Sequence, residues 1–187
     1  MTILRVSIFV VVALAQLGLP ASVVWLRQQT LKHGRVWKFK TEPIDPVDAI
    51  RSRYVALSFA AEKVRLDERP AQFGTPRTPV YVTLKEDAEG FAQVDEIRTK
   101  ALPGNNVVKV ETRYWSDGWE HVRFPFDKFW IDEKIAPEAE RAYRENSRRE
   151  KQNAYVTIRV RDGDAALEQL YIDSQPLRNY LRAHETR

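Results

Sequence analysis

Three histidines, no cysteine and a scatter of acids and arginines are what this chain offers toward chemistry. His33, His121 and His184 lie far apart, and none has a metal-ligand neighbour at helical or hairpin spacing. A zinc site is therefore not expected, and surface imidazole is the plain reading. Without cysteine there is no thiolate nucleophile, no disulfide and no thiolate metal site. No other cofactor is expected either. What remains is acid against base: Asp45, Asp48, Glu133 and Glu140 could converge with Arg51, Arg53 or Arg123 into a polar cleft that grips a partner or ligand. The blander alternative has Asp45 turning the chain at its prolines and the others in surface ion pairs. Tyr54, Phe124, Phe126, Phe129 and Trp130 read first as core, although five tryptophans leave room for an exposed interface patch.

The elements that must position these residues begin with a greasy one. Val6 to Leu26 runs 21 residues through Leu14 without a charge, and as a helix it would span about 31 Å, a bilayer core. Gly18 and Pro20 are tolerable inside a membrane helix, and Trp25 stands where an interfacial aromatic belongs. A cleaved leader ending at Ala13-Leu14-Ala15 is the competing reading. The apolar run continues well beyond Ala15, which favours an uncleaved anchor. The chain then divides into a tail (1–5), an anchor helix (6–26) and one domain (27–187).

Thr41 to Phe59 is the most distinctive stretch. Pro43 and Pro46 push Glu42 and Asp45 out of the helical region, so the chain arrives extended. From Val55 the pattern alternates, placing Val55, Leu57 and Phe59 on one strand face and Ala56 and Ser58 on the other. Tyr54, three residues before Leu57, falls opposite it.

This stretch resembles the GDYXXLXY family of bacterial envelope proteins. Tyr54 and Leu57 stand at the motif's tyrosine and leucine, Phe59 replaces its last tyrosine, and Ser52-Arg53 replaces the Gly-Asp pair. The approach through Pro43, Asp45, Pro46 and Arg51 is similar to the family's. So is a second block from Arg123-Phe124 through Phe129-Trp130-Ile131-Asp132-Glu133, with Glu140 at the place of a following acid. The resemblance implies a divergent, membrane-tethered member with an extracytoplasmic domain of uncharacterised biochemistry. It also implies an inner-membrane location, with a multi-spanning membrane protein encoded nearby as a partner.

Orientation sets that implication against charge. Arg5 faces Arg27, Lys32, Arg35, Lys38 and Lys40 across the apolar run, and counting basic residues alone would keep the domain in the cytoplasm. A short tail with one arginine can still be retained inside while the basic cluster lies along anionic headgroups. The expectation is amino terminus in and domain out.

Beyond the anchor, 43% hydrophobic and 30% charged residues describe a globular domain large enough for its own core. Thirty basic residues interspersed with 26 acidic ones make a mixed surface rather than a basic stripe, so nucleic acid is not an expected partner. Strands are predicted at Val36–Lys40, Pro79–Leu84 and Phe91–Ile97, with Glu62–Arg69 and the prolines after it as loop. Asp117-Gly118 predicts a tight hairpin between Val107–Trp115 and Trp119–Phe126, with Val108, Val110 and Tyr114 meeting Val122 and Phe124. Asp162-Gly163-Asp164 predicts a second, with Val156, Ile158 and Val160 inward. Pro137–Gln152 reads as a surface helix with Glu140–Arg144 and Glu145–Arg149 pairs, each worth about 0.2–0.5 kcal/mol. The tail after Pro176 carries little helical signal. The expected fold is one membrane helix bearing a mainly antiparallel β barrel or sandwich of about eight strands, with one covering helix.

Membrane-anchored serine–lysine peptidases of the signal peptidase kind share such a layout. Arg98-Thr99-Lys100-Ala101-Leu102-Pro103-Gly104-Asn105 is similar to their lysine-bearing block. The place of the catalytic lysine nevertheless falls on Ile97, and a dyad needs a buried lysine beside its serine. A non-catalytic interaction module is the leading expectation; a degenerate peptidase relative or a small-molecule or glycan binder is the alternative.

Overall fold

A computed structural model describes residues 2–43, 54–74, 76–148 and 150–184. The first element, α1, is one helix from Thr2 to His33 that passes through Pro20 unbroken. Its apolar side chains are bare: Val6, Phe9, Leu14, Leu17, Trp25 and Leu26 are each at least half exposed. It is long and apolar enough to cross a membrane.

α1 does not stop at Leu26. Its last turns lie against the domain, where Thr30 is buried, and the chain leaves the helix through Gly34, whose N–H bonds to Thr30 O at 2.8 Å. A Cβ on Gly34 would stand 2.5 Å from Thr30 O and 3.0 Å from Val160 O. Backbone closes on this residue from both sides, and only glycine fits.

From here the chain is β. The strands are β1 (Arg35–Glu42), β2 (Tyr54–Ala56), β3 (Ser58–Phe59), β4 (Lys63–Arg65), β5 (Pro79–Glu86), β6 (Ala92–Arg98), β7 (Val107–Ser116), β8 (Trp119–Arg123) and β9 (Lys128–Trp130). After helix α2 (Ala136–Asn146) come β10 (Ala154–Arg161), β11 (Asp164–Ile172), β12 (Gln175–Pro176) and helix α3 (Leu177–His184). One five-stranded sheet has the order β12-β11-β10-β1-β3, another β4-β8-β7-β5-β6, and β2 pairs with β9. All named pairs are antiparallel. The turn after β10 bridges to β7 at Val108, and β1 runs beside β6, so the sheets curl around one core as a nearly closed barrel.

The expected mainly β architecture holds, with more and shorter strands. Val80, Val82 and Leu84 are buried from β5, and Val156, Ile158 and Val160 from β10. Four phenylalanines, Phe39, Phe59, Phe124 and Phe126, fill the centre with ring centroids 5.0–6.1 Å apart. Such pairs contribute roughly 0.5–1.5 kcal/mol each beyond the area they bury.

Four expectations are corrected. The Asp117-Gly118 turn forms, with φ of 51° and 82°, as a two-residue hairpin requires. Its facing residues differ: Val122 lies opposite Thr112 and His121 opposite Tyr114, because a bulge at Arg113 shifts the register. Val108 and Val110 pair with Val82 and Val80 of β5 instead. The charged stretch after Glu62 holds β4, which closes the sheet against β8. Helix α2 ends at Asn146, six residues early. There the Asn146 amide donates to Ala142 O at 2.8 Å, and Asn146 O accepts from Asn153 N–H at 2.9 Å. The tail is helical because Leu177 and Leu181 are buried against the core, a face that only the tertiary fold supplies.

Candidate functional site

The motif stretch is built to face two ways. In β2 and β3, Val55, Leu57 and Phe59 are buried at 4% exposure or less, as their alternation demands. Leu57 N–H bonds to Asp127 O at 2.9 Å, tying the motif to the loop before β9. Tyr54 turns outward. Its ring meets Trp130 edge-on at 5.3 Å, and the Lys128 ammonium sits 5.0 Å over it. Trp130 is 65% exposed. Phe124 and Phe126 thus belong to the core and Phe129 packs against it, while Tyr54 and Trp130 form an aromatic pair on the surface.

Beside that pair opens a polar cleft of about 470 Å³. Tyr54, Ser58, Glu62, Arg113, Arg123 and Asp127 line it, with Pro43 at its edge. Arg123 donates from Nε to Asp127 Oδ2 at 2.9 Å, and its Nη2 bonds to the same oxygen; this pairing holds the guanidinium charged. Ser58 Oγ donates to Glu62 Oε2 at 3.1 Å. Burial pushes the Glu62 carboxyl up from an ordinary 4.5 to about 7. The Ser58 hydrogen bond and the Arg113 charge oppose that rise, and Asp127 and Glu42 add to it. Arg113 reaches the cleft as the extra residue of the β7 bulge. Bulges re-aim side chains in this way beside sites.

On the far side of Glu62, Glu42 accepts from Lys63 Nζ at 3.0 Å. Tyr143 of α2 donates to Glu42 O at 3.3 Å, and burial drives its phenol well above the usual range. The cleft can therefore offer guanidinium donors, a carboxyl that burial brings to titrate near 7, and an aromatic rim. It suits gripping polar groups of a partner or ligand.

The acids proposed from the sequence lie elsewhere or beyond view. Glu133 is exposed in the turn after β9, and Glu140 forms an ion pair with Arg144 on α2. Asp45, Pro46, Asp48, Arg51 and Arg53 fall outside the described residues, as does Arg149, the foreseen partner of Glu145. Arg123 is in the cleft, but the acids facing it are Glu62 and Asp127. Sequence reasoning missed both, and also Ser58 and Arg113. The spacing Ser58–Glu62 would have been a signal in a helix; here a 3-10 turn at Ala60–Glu62 folds the chain back instead.

The histidines keep apart. His121 stacks on Tyr114 at 4.1 Å and His184 on Tyr180 at 4.1 Å. Burial and the nearby Lys63 lower the His121 pKa. Among the described residues no group of three potential ligands could hold a metal ion. Lys100 is exposed in the loop after β6, and Ile97 sits half-buried in β6 opposite Val82.

A second concavity, about 650 Å³, lies between the edges of β4 and β6. Its walls carry Lys40, Lys63 and Arg65 against Asp87, Glu89 and Asp95, and several of these already pair, as Lys40 with Glu89 and Lys85 with Asp95. None of the described motif residues lines it.

The family model described as GDYXXLXY protein matches residues 16–170. No curated protein and no solved structure matches the chain.

Proposed function

The chain belongs to the GDYXXLXY family, and from that premise we propose a non-catalytic interaction module, anchored in a bacterial inner membrane by α1 and carried on its extracytoplasmic side. The observation that supports this most is the outward half of the motif. Tyr54 and Arg123 spend their side chains on a solvent-facing cleft beside the exposed Trp130, while Leu57 and Phe59, just after Tyr54, anchor the motif in the core. Exposed tryptophan and arginine are the residue types that dominate binding hot spots. A multi-spanning membrane protein is the partner this reading favours, because α1 confines the encounter to the plane of the bilayer. The bare apolar surface of α1 supports retention in lipid. The family match starts at residue 16, so the second half of the apolar helix belongs to the matched pattern.

Two experiments test the proposal. Alkaline phosphatase and a cytoplasm-only fluorescent protein fused at Arg187 report orientation; phosphatase activity is expected, and fluorescence without it refutes the topology. Photocrosslinking from position 130 in intact membranes should trap a multi-spanning protein, with the yield reduced by Tyr54→Ala and Arg123→Ala. Equal yield from both variants would remove the cleft from the account. A small-molecule or glycan ligand is the second reading, favoured by the volume of the cleft; dependence of crosslinking on an added sugar or metabolite would select it.

A further inference from the structure

The join between α1 and the domain fixes where the domain sits. No flexible linker intervenes: α1 runs seven residues past Leu26, about 10 Å, and its end is clamped by Gly34 and by Arg159, whose Nη1 donates to Gly34 O at 3.3 Å. Val160 stands opposite Arg35 at this clamp. Beyond it the β10–β11 turn runs back down the helix, so that Arg161 and Asp162 share a small cavity with Trp25, Leu26 and Gln29. The turn thus reaches the level at which the uncharged stretch ends.

The loop between β6 and β7 is pinned to that turn at both ends. Gly104 O accepts from Asp162 N–H at 2.9 Å, and Gly104 N–H donates to Asp162 Oδ1 at 3.1 Å. At its other end Arg98 pairs with Tyr81, whose ring lies under Gly163. Between these pins Thr99 to Pro103 are all exposed, and the uncharged tip Ala101-Leu102-Pro103 leaves Leu102 43% exposed. The loop cannot be far from the lipid boundary, because Gly104 and Leu102 are two residues apart, at most about 7 Å.

We propose that the Thr99–Pro103 loop is a second membrane contact, with Leu102 and Pro103 seated in the headgroup–acyl boundary of the bilayer that holds α1. This rests on the reading of α1 as a spanning helix but holds for either orientation. Arg27, Lys100, Lys109 and Arg161 outnumber Asp162 and Asp164 at this end, with Arg98 paired to Glu96, which suits anionic headgroups. The domain then stands upright on the surface, its cleft held at a set height rather than swinging on a tether.

The absence of native cysteine makes the test direct. The full-length protein carrying Leu102→Cys, Ala88→Cys or Leu17→Cys is labelled with a nitroxide and reconstituted into vesicles of phosphatidylcholine and phosphatidylglycerol. Relaxation by oxygen and by a water-soluble nickel chelate is then compared. Ala88 lies in the turn at the other end of β6 and serves as the aqueous reference, and Leu17 as the deep one. The oxygen-to-nickel ratio at position 102 should be severalfold that at 88 and below that at 17. A ratio at 102 equal to that at 88, with 17 deep in lipid, overturns the proposal and leaves the anchor standing. Low rates with both reagents at 102 would mean protein cover and would overturn it too. Water-like behaviour at 17 would defeat the anchor and this contact together.

Discussion

Replacing Glu62 by glutamine should make the protein more stable, and by an amount that depends on pH. The carboxyl titrates near 4.5 when unfolded and near 7 in the fold. Below pH 4.5 both states hold the proton, and the cleft exacts no cost. Between 4.5 and 7 the folded protein binds a proton that the unfolded chain has released, so stability falls as pH rises. Above 7 both states are ionised and the whole cost of a buried carboxylate is present. At about 1.4 kcal/mol per pH unit, the displacement corresponds to roughly 3 kcal/mol. Water reaching the open side of the cleft lowers this, and about 1.5–3 kcal/mol is expected. Glutamine keeps an oxygen for Ser58 and carries no charge. Urea unfolding of the full-length protein in detergent, at pH 3.5, 6 and 8, would show the variant gaining almost nothing at the first and nearly the full amount at the last. A loss at pH 8 would refute the reasoning and mean that Arg113 compensates the ionised acid, and a gain independent of pH would refute it by showing that charge is not the cause.

Three further perturbations probe the frame that holds the cleft. Phe39→Ala removes the ring that touches Phe59, Phe124 and Phe126 at 5.2–5.6 Å; a loss of about 3–5 kcal/mol in denaturant unfolding is expected, and a cost below 1 would mean the cluster collapses around the gap. Arg69 donates from Nε to the fully buried Glu120 at 2.7 Å, and the other Glu120 oxygen has no hydrogen-bond partner among the described residues. Arg69→Ala should therefore cost about 3 kcal/mol by stranding that charge, and Glu120→Leu added to it should recover much of the loss; additive losses would contradict the pairing. Gly34→Ala should cost at least about 1–3 kcal/mol through collision with the Thr30 and Val160 backbone. It should also expose the 33–35 junction to protease, and an unchanged digestion pattern would show that the helix and domain are joined more loosely.

How much of this was legible in the sequence follows from how local each cause is. The strand faces were readable because alternation is a two-residue property: Val55, Leu57 and Phe59, or Val156, Ile158 and Val160, declare their own inward side. The Asp117-Gly118 turn was readable because few residues accept two successive positive φ angles. The apolar helix was readable from length and the absence of charge. Its extension to His33 was not, since Arg27 and Lys32 look like the end of a membrane segment and only packing against β10 and β11 keeps the helix going.

The cleft lay beyond reach for a physical reason of the same kind. Glu62 lies 51 residues before Arg113 and Asp127 a further 14 beyond it, and each belongs to a different local structure. A bulge, a 3-10 turn and a loop bring them to one place, and each departs from the regular periods on which sequence reading depends. The Glu62 proton is likewise a property of burial, not of residue type. Composition and periodicity by themselves settled a β-built body behind a greasy helix, because hydrophobic burial acts through patterns along the chain. Which polar groups face one another, how α1 is clamped, and which loop lies beside the helix were decided by the way the sheets curl around one core, because those contacts depend on register between strands distant in sequence.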